Sequence, residues 1–151
     1  MFENTGLWLL DSNLAKLLIA YLLTLPIGYL REKEAHSVGV RTFPIVAIAS
    51  CGYLLISRTA SSSDAFTRVL QGLIAGIGFI GGGAILKDGL TIHGAATAAS
   101  IWNTGVVGAA VALGKYDVAL ILSVLNGLTL HYMKPWKAKL DAPQPVEARK
   151  P

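Results

Sequence analysis

The feature that most constrains this chain is the run Val69–Leu86, VLQGLIAGIGFIGGGAIL, 18 residues without a charge and with glycine at positions 72, 76, 78, 81, 82 and 83. In a water-soluble helix each of those glycines would cost roughly 1 kcal/mol relative to alanine, whereas helices in lipid use small residues to let backbones approach. The run therefore predicts a membrane-spanning helix with close neighbours. Helical phase sets Gly72, Gly76, Phe79 and Gly83 on one face and Gln71, Ala75, Gly78 and Gly82 on a second, about 100° away. Gly72 to Gly76 and Gly78 to Gly82 also keep the small-xxx-small spacing, so Gly72, Gly76, Gly78, Gly82 and Gly83 are the expected helix-packing residues. A phosphate-binding loop would need a preceding strand and a Gly-Lys-Ser/Thr ending; this run ends instead in Lys87-Asp88-Gly89.

The rest of the chain agrees with a bilayer as solvent. It is 53% hydrophobic and only 15% charged, against roughly 25% charged in ordinary soluble domains. The formal charge of +4 is dispersed between apolar runs rather than clustered with aromatics, which speaks for topology signals and against nucleic acid. Cys51 is the single cysteine; it allows no intramolecular disulfide and suits a small buried hydrophobe. Glu3 and Asp11 precede the first apolar run without a basic segment, so that run is expected to be retained rather than cleaved as a signal peptide.

Five spans are expected in an all-α integral membrane bundle. The first is Leu14–Leu30, with Trp8 as an interfacial anchor, Lys16 snorkelling and Pro26 as a kink. REKEAHSVGVRT, from Arg31 to Thr42, reads as a charged loop. Phe43–Ser57 is a short second span of about 22 Å, Val69–Leu86 the third, Ala95–Leu113 the fourth and Val118–Met133 the fifth. Residues 1–133 form one transmembrane domain, and Lys134–Pro151 is a basic, proline-rich, disordered cytoplasmic tail too poor in apolar residues to fold alone. Thr97, Ser100, Thr104 and Gly108 share one face of the fourth span, and Ser123, Asn126 and Gly127 one face of the fifth. These polar groups read first as interhelical glue and second as a polar path. With the N-terminus outside, nine Lys and Arg residues fall on the cytoplasmic side, against Arg58, Arg68 and Lys115 in loops opposite and Lys16 within the first span. The positive-inside rule therefore favours N-out and C-in.

Three blocks, GYLREKEAHSVGVRT, GLIAGIGFIGGGAILKDG and HGAATAASIWNTGVVGAAVALGKY, occur in an order that resembles the MgtC/SapB family of bacterial inner-membrane proteins. The resemblance runs from Leu14 to about Met133. It implies a multi-pass inner-membrane protein connected with growth at low magnesium, virulence and, in some members, restraint of the rotary ATP synthase. On the matching motifs, Arg31 and Glu32 correspond to the family's arginine-glutamate pair, Arg41 and Thr42 to its arginine-threonine, and Asp88 and Gly89 to its aspartate-glycine turn. Thr97 and Trp102 match its span-four block, and Lys87 stands where arginine is expected, which keeps the charge and loses the bidentate fork. Longer members carry a further soluble C-terminal domain, and functions that need it are not expected of this chain.

Three functions can be weighed on the residues. A non-enzymatic membrane regulator would use the small-residue faces to bind a membrane protein or a second copy of itself. A cation or small-solute transporter would use oxygen ligands, with Asp88, Glu32 and Glu34 at the cytoplasmic side and Asn103 and Asn126 deeper; no Asp or Glu lies within the five expected cores, which weakens a charged relay for magnesium. An intramembrane enzyme has little to work with, because His36, His93 and His131 are far apart and neither HExxH nor GxSxG is present. The regulator is the preferred reading, with no cofactor implied and any metal site unknown. Asp88 is expected to pair with Arg31 or Arg41 and clasp the first three spans together.

Overall fold

In the computed structural model, residues 12–35, 39–58, 63–89 and 91–140 are described. Among them are five helices, α1 (Asn13–Ala35), α2 (Thr42–Ser57), α3 (Ser63–Gly83), α4 (Ala95–Ala112) and α5 (Tyr116–Leu140), and one antiparallel hairpin, β1 (Leu86–Asp88) with β2 (Thr91–His93). The architecture is helical as expected, and its boundaries differ from the sequence reading in three places.

Helix α1 continues past Leu30 to Ala35, so Arg31, Glu32 and Lys33 stand on its last turns rather than in a loop. The head group of Arg31, on this extension, bonds back into the bundle. The glycine helix stops at Gly83, short of Leu86, and the chain then reverses through the hairpin, pairing Leu86 with His93 and Asp88 with Thr91. Gly89, with φ 57°, and Gly94, with φ 86°, supply the left-handed residues that this reversal needs. Helix α5 runs past Met133 to Leu140, into the stretch expected to be a disordered tail. Residues 141–151 of that tail lie outside the described residues, as does Trp8.

Five helices are present as expected, and among the described residues three of them are long and apolar enough to cross a membrane by themselves: α1, α3 and α4. Helix α2 is apolar but has 16 residues, about 24 Å against a hydrocarbon core of about 30 Å. Helix α5 is long, but its apolar run is diluted by Asp117, Asn126 and His131.

Helix α4 is the centre of the bundle and touches all four others. Its apolar window is 61% buried, whereas that of α3 is 11% buried, so α3 is a peripheral helix resting on α4 and α2. Two apolar clusters hold the bundle. One joins Ala20, Ala47, Cys51, Leu54, Val107 and Ala119; the other joins Ile27, Phe43, Ile77, Ile101 and Leu130. Small residues let α2 and α4 meet closely, since a Cβ on Gly108 would overlap the carbonyl oxygen of Ala47. A Cβ on Gly28 would lie 2.9 Å from Cα of Val40, which draws the end of α1 against the entry to α2.

Buried hydroxyls are satisfied in two ways. Thr24, Ser50 and Thr104 donate to carbonyls one turn back on their own helices, Ala20 at 2.9 Å, Val46 at 2.7 Å and Ser100 at 2.8 Å. Others bridge helices: Ser100 donates to Asn126 Oδ1 at 3.0 Å, and Ser123 donates to the carbonyl of Leu23. The second bridge falls beside Pro26, whose missing N–H disturbs the carbonyls one turn earlier, and a hydroxyl from a neighbouring helix is the usual remedy in lipid.

Gly94 joins the hairpin to α4 in a left-handed conformation, and a Cβ there would overlap the carbonyl oxygen of Ala84. Gly94→Ala is therefore expected to destabilise the protein by at least the roughly 1–2 kcal/mol of an unfavourable left-handed residue. Thermal unfolding in detergent against wild type measures it, and an unchanged midpoint would show that the hairpin base carries no strain.

Candidate functional site

The expected site residues fall into three groups. The first closes the ends of α1 and α4. Arg31 is buried on α1, and its guanidinium donates to the hydroxyl oxygen of Thr97, buried in the first turn of α4. Ser100, one turn further along α4, continues the line to Asn126 on α5. A cation from α1, two hydroxyls from α4 and an amide from α5 thus form one polar seam across three helices. The amide nitrogen of Asn126 is buried without a hydrogen-bond partner among the described residues.

The second group lines the passage from α1 to α2. Glu32 is exposed, and its carboxylate accepts the Val40 backbone N–H at 3.1 Å. Arg41 is exposed immediately before α2, and Thr42, half-buried, opens that helix with its N–H donated to the Gly39 carbonyl at 3.0 Å. Glu32 thereby fixes the returning chain through a backbone bond, beside Arg41 rather than paired with it. Lys33 lies over the ring of Tyr29 at 4.6 Å from its centroid, a cation–π contact at the end of α1.

The third group does not join these. Asp88 ends β1 and Gly89 follows in the turn; the side chain of Asp88 lies outside the described residues, and the expected clasp with Arg31 or Arg41 lies there with it. Trp102 is 49% exposed on α4 and points away from the seam. Asn103 is half-buried and donates through Nδ2 to the carbonyl of Leu122 at 3.4 Å, a link from α4 to α5. Among the described residues no group of three or more His, Cys, Asp or Glu side chains is arranged to hold a metal ion.

The glycines divide unexpectedly. A Cβ on Gly72, Gly76, Gly78, Gly82 or Gly83 would meet nothing within 4 Å, so none of the five packs against another helix of this chain. The close approaches inside the bundle are made by Gly81 against the carbonyl of Ala98, Gly105 against Ile77, and Gly108 against Ala47. Of these, Gly108 was visible in the sequence through its place on the hydroxyl face of α4. Gly81 and Gly105 carried no signal beyond being small.

Two of the open glycines, Gly72 and Gly76, border an apolar groove between α2 and α3, about 610 Å³ in volume and lined also by Ile45, Ala49, Tyr53 and Phe79 among others. Phe79 is 85% exposed at its edge. The lining of the groove is almost entirely apolar.

Comparison with known proteins fits this architecture. The model of the MgtC family matches residues 17–139. The chain is similar to the protein SrpB of Synechococcus elongatus, 32% identical over 148 residues that cover 89% of this chain and 80% of that one. It is 32% identical over 115 residues to the uncharacterized protein slr0014 of Synechocystis, covering 76% of this chain and 49% of the relative. It is 33% identical over 117 residues to the protein MgtC of Salmonella typhimurium, covering 78% and 50% respectively. The chain thus spans about half the length of two of these three relatives. No solved structure is matched.

Proposed function

The chain belongs to the MgtC family, and from that premise we propose that it is a non-enzymatic regulator in the bacterial inner membrane, acting in stress adaptation by docking another membrane protein. In this reading the five helices cross the membrane with the N-terminus outside and the C-terminus in the cytoplasm, as the distribution of Lys and Arg favours. The observation that carries the docking is the open groove between α2 and α3, where a Cβ on Gly72 or Gly76 would meet nothing within 4 Å. Glycine in a peripheral helix costs stability. It is offset where a partner helix approaches the bare backbone and gains dispersion contacts and Cα–H to carbonyl bonds.

The partner proposed is the rotary ATP synthase, and the physiological setting growth at low magnesium. Inverted membrane vesicles containing the synthase, with and without this protein, provide the test through ATP-driven proton pumping. Wild type is expected to lower pumping. Gly76→Leu, whose first added carbon meets nothing within 4 Å, projects into the groove and is expected to abolish the restraint while leaving expression and unfolding temperature unchanged. Equal pumping with and without the protein would remove the synthase as partner, and saturable magnesium flux in proteoliposomes would replace the regulator with a transporter.

A further inference from the structure

A second groove, about 450 Å³ in volume, runs between α1 and α5 and shares no lining residue with the α2–α3 groove. The two helices lie side by side in the same direction: Ser123 donates to the carbonyl of Leu23, and further along Leu30 lies beside Gly127. The walls include Leu22 and Leu30 from α1 and Leu120, Val124 and Leu128 from α5, with Gly127 between them. A Cβ on Gly127 would meet only Cδ1 of Leu30, at 3.9 Å, so the absent side chain leaves room there.

Polarity is confined to one end of this groove. Ser123, in its middle, has already given its hydroxyl to Leu23, and the other polar side chains of the lining are His131 and Tyr132, at the end that both helices reach last. Both are exposed, and their rings meet edge to face with centroids 4.9 Å apart. Lys33 follows Leu30 by three residues and Lys134 follows His131 by three, so helical phase sets both positions on the groove side just past that end. Lys33 is exposed, with its ammonium 4.6 Å from the ring centroid of Tyr29; a ring face leaves N–H donors of an ammonium available to a second partner. Glu32, the neighbouring acid, lies about 100° round the helix from Lys33 and accepts the Val40 N–H. Together the two helix ends carry Lys33, Lys134, Lys137 and Lys139 against Glu32 and Glu34, a basic surplus.

An occupant that matches this groove is apolar along most of its length and anionic at one end. From Leu120 to His131 the groove extends about 16 Å along α5, close to half of a hydrocarbon core of about 30 Å. That is the reach of one leaflet. A partner helix would cross both leaflets and would leave the donors gathered at one end without a role. A phospholipid uses the whole groove: its acyl chain lies against Leu22, Val124 and Leu128, and its phosphate meets the ring N–H of His131, the hydroxyl of Tyr132 and the ammonium of Lys33. A zwitterionic headgroup sets its own cation against the same lysines, so an anionic one is favoured. We propose that the α1–α5 groove binds one acyl chain of an anionic phospholipid from the surrounding bilayer, with the phosphate held at the His131–Tyr132–Lys33 end.

Native mass spectrometry of the full-length protein in detergent, supplied with equal amounts of phosphatidylglycerol and phosphatidylcholine bearing the same acyl chains, tests it. Wild type is expected to retain phosphatidylglycerol over phosphatidylcholine by roughly ten-fold or more, and Lys33→Gln to lower that retention about five-fold, the effect of one lysine beside an anionic headgroup. Gly127→Leu fills the groove beside Leu30 and is expected to remove both lipids while leaving the unfolding temperature in lipid-free detergent unchanged. Should that variant unfold early, Val124→Trp obstructs the groove from its exposed wall and is read in its place. Glycerol 3-phosphate, which carries the anion without the chains, is expected not to displace the bound lipid. Retention of neither lipid by wild type, or of both equally, overturns the proposal. So does retention unmoved by both groove-filling variants, which would leave only a charged rim, or displacement by glycerol 3-phosphate, which would mark a site for the free anion. Gly76→Leu, in the other groove, is expected to retain phosphatidylglycerol as wild type does, so loss of docking and loss of lipid are distinguishable.

Discussion

Leucine in place of Gly108 is expected to destabilise the bundle strongly, whereas leucine in place of Gly76, on another helix of the same chain, is expected to leave its stability unchanged. The two sites differ in what stands opposite. At Gly108 the first added carbon overlaps the backbone carbonyl of Ala47, and at Gly76 it meets nothing within 4 Å. A backbone atom cannot rotate out of the way as a side chain can, so the clash is relieved only by moving α2 from α4. That contact is the most extensive in the molecule, and it seats Val107 and Val111 against Ala47, Cys51 and Leu54. Overpacking a well-filled interior typically costs about 1–3 kcal/mol and more where rigid elements collide. Gly108→Leu belongs at or above the top of that range, with a fall in unfolding temperature on the order of 10 °C. Thermal unfolding of both variants in detergent, followed by loss of the monodisperse species in size exclusion, measures the contrast. Equal midpoints for the two would show that the α2–α4 approach is not close-packed.

The same contrast shows what the sequence could and could not reveal. Low charge and the uncharged glycine run identified a membrane protein, and three ordered blocks identified its family. Helical phase sorted the glycines of α3 into faces correctly. It could not say which face turns inward, because in lipid the apolar residue is as much at home outside the bundle as inside. In water the hydrophobic stripe would have marked the core. Here the glycines packed between helices are Gly81, Gly105 and Gly108, while the four with the motif spacing, and Gly83, lie open. The hairpin had a local signal in Asp88-Gly89 between two short apolar segments, which reads as a turn without revealing that residues on both sides would pair. Arg31 shows a further limit. Its charge and its neighbours Glu32 and Lys33 suggested a loop, and the group that holds it, Thr97, stands 66 residues away on α4, a distance no periodicity spans.

The Arg31–Thr97 contact predicts an asymmetry that separates a functional clasp from ordinary packing. Thr97→Val keeps the shape of the side chain and removes the oxygen to which the buried guanidinium donates. A hydrogen bond to a charged group is worth about 1.5–3 kcal/mol, and its loss leaves the cation buried without that acceptor. Arg31→Met removes the charge together with the bond and retains an apolar stem of similar reach, so it is expected to cost less, about 1 kcal/mol. Once Arg31 is methionine the valine at position 97 has nothing left to offend. The double variant should therefore be about as stable as Arg31→Met alone, with a coupling energy of about 1.5 kcal/mol or more in a double-mutant cycle on unfolding in detergent. Additive losses would mean that the two side chains pack side by side without a bond that matters. A strong coupling would mean that α1 and α4 are locked at one end by a polar contact that an apolar pair could replace in stability but not in register. That matters for a bundle whose central helix is smooth with alanine, glycine and valine along most of its length: such a surface lets a neighbour slide or turn at little cost, and the bond from the buried Arg31 to Thr97 is expected to favour one setting.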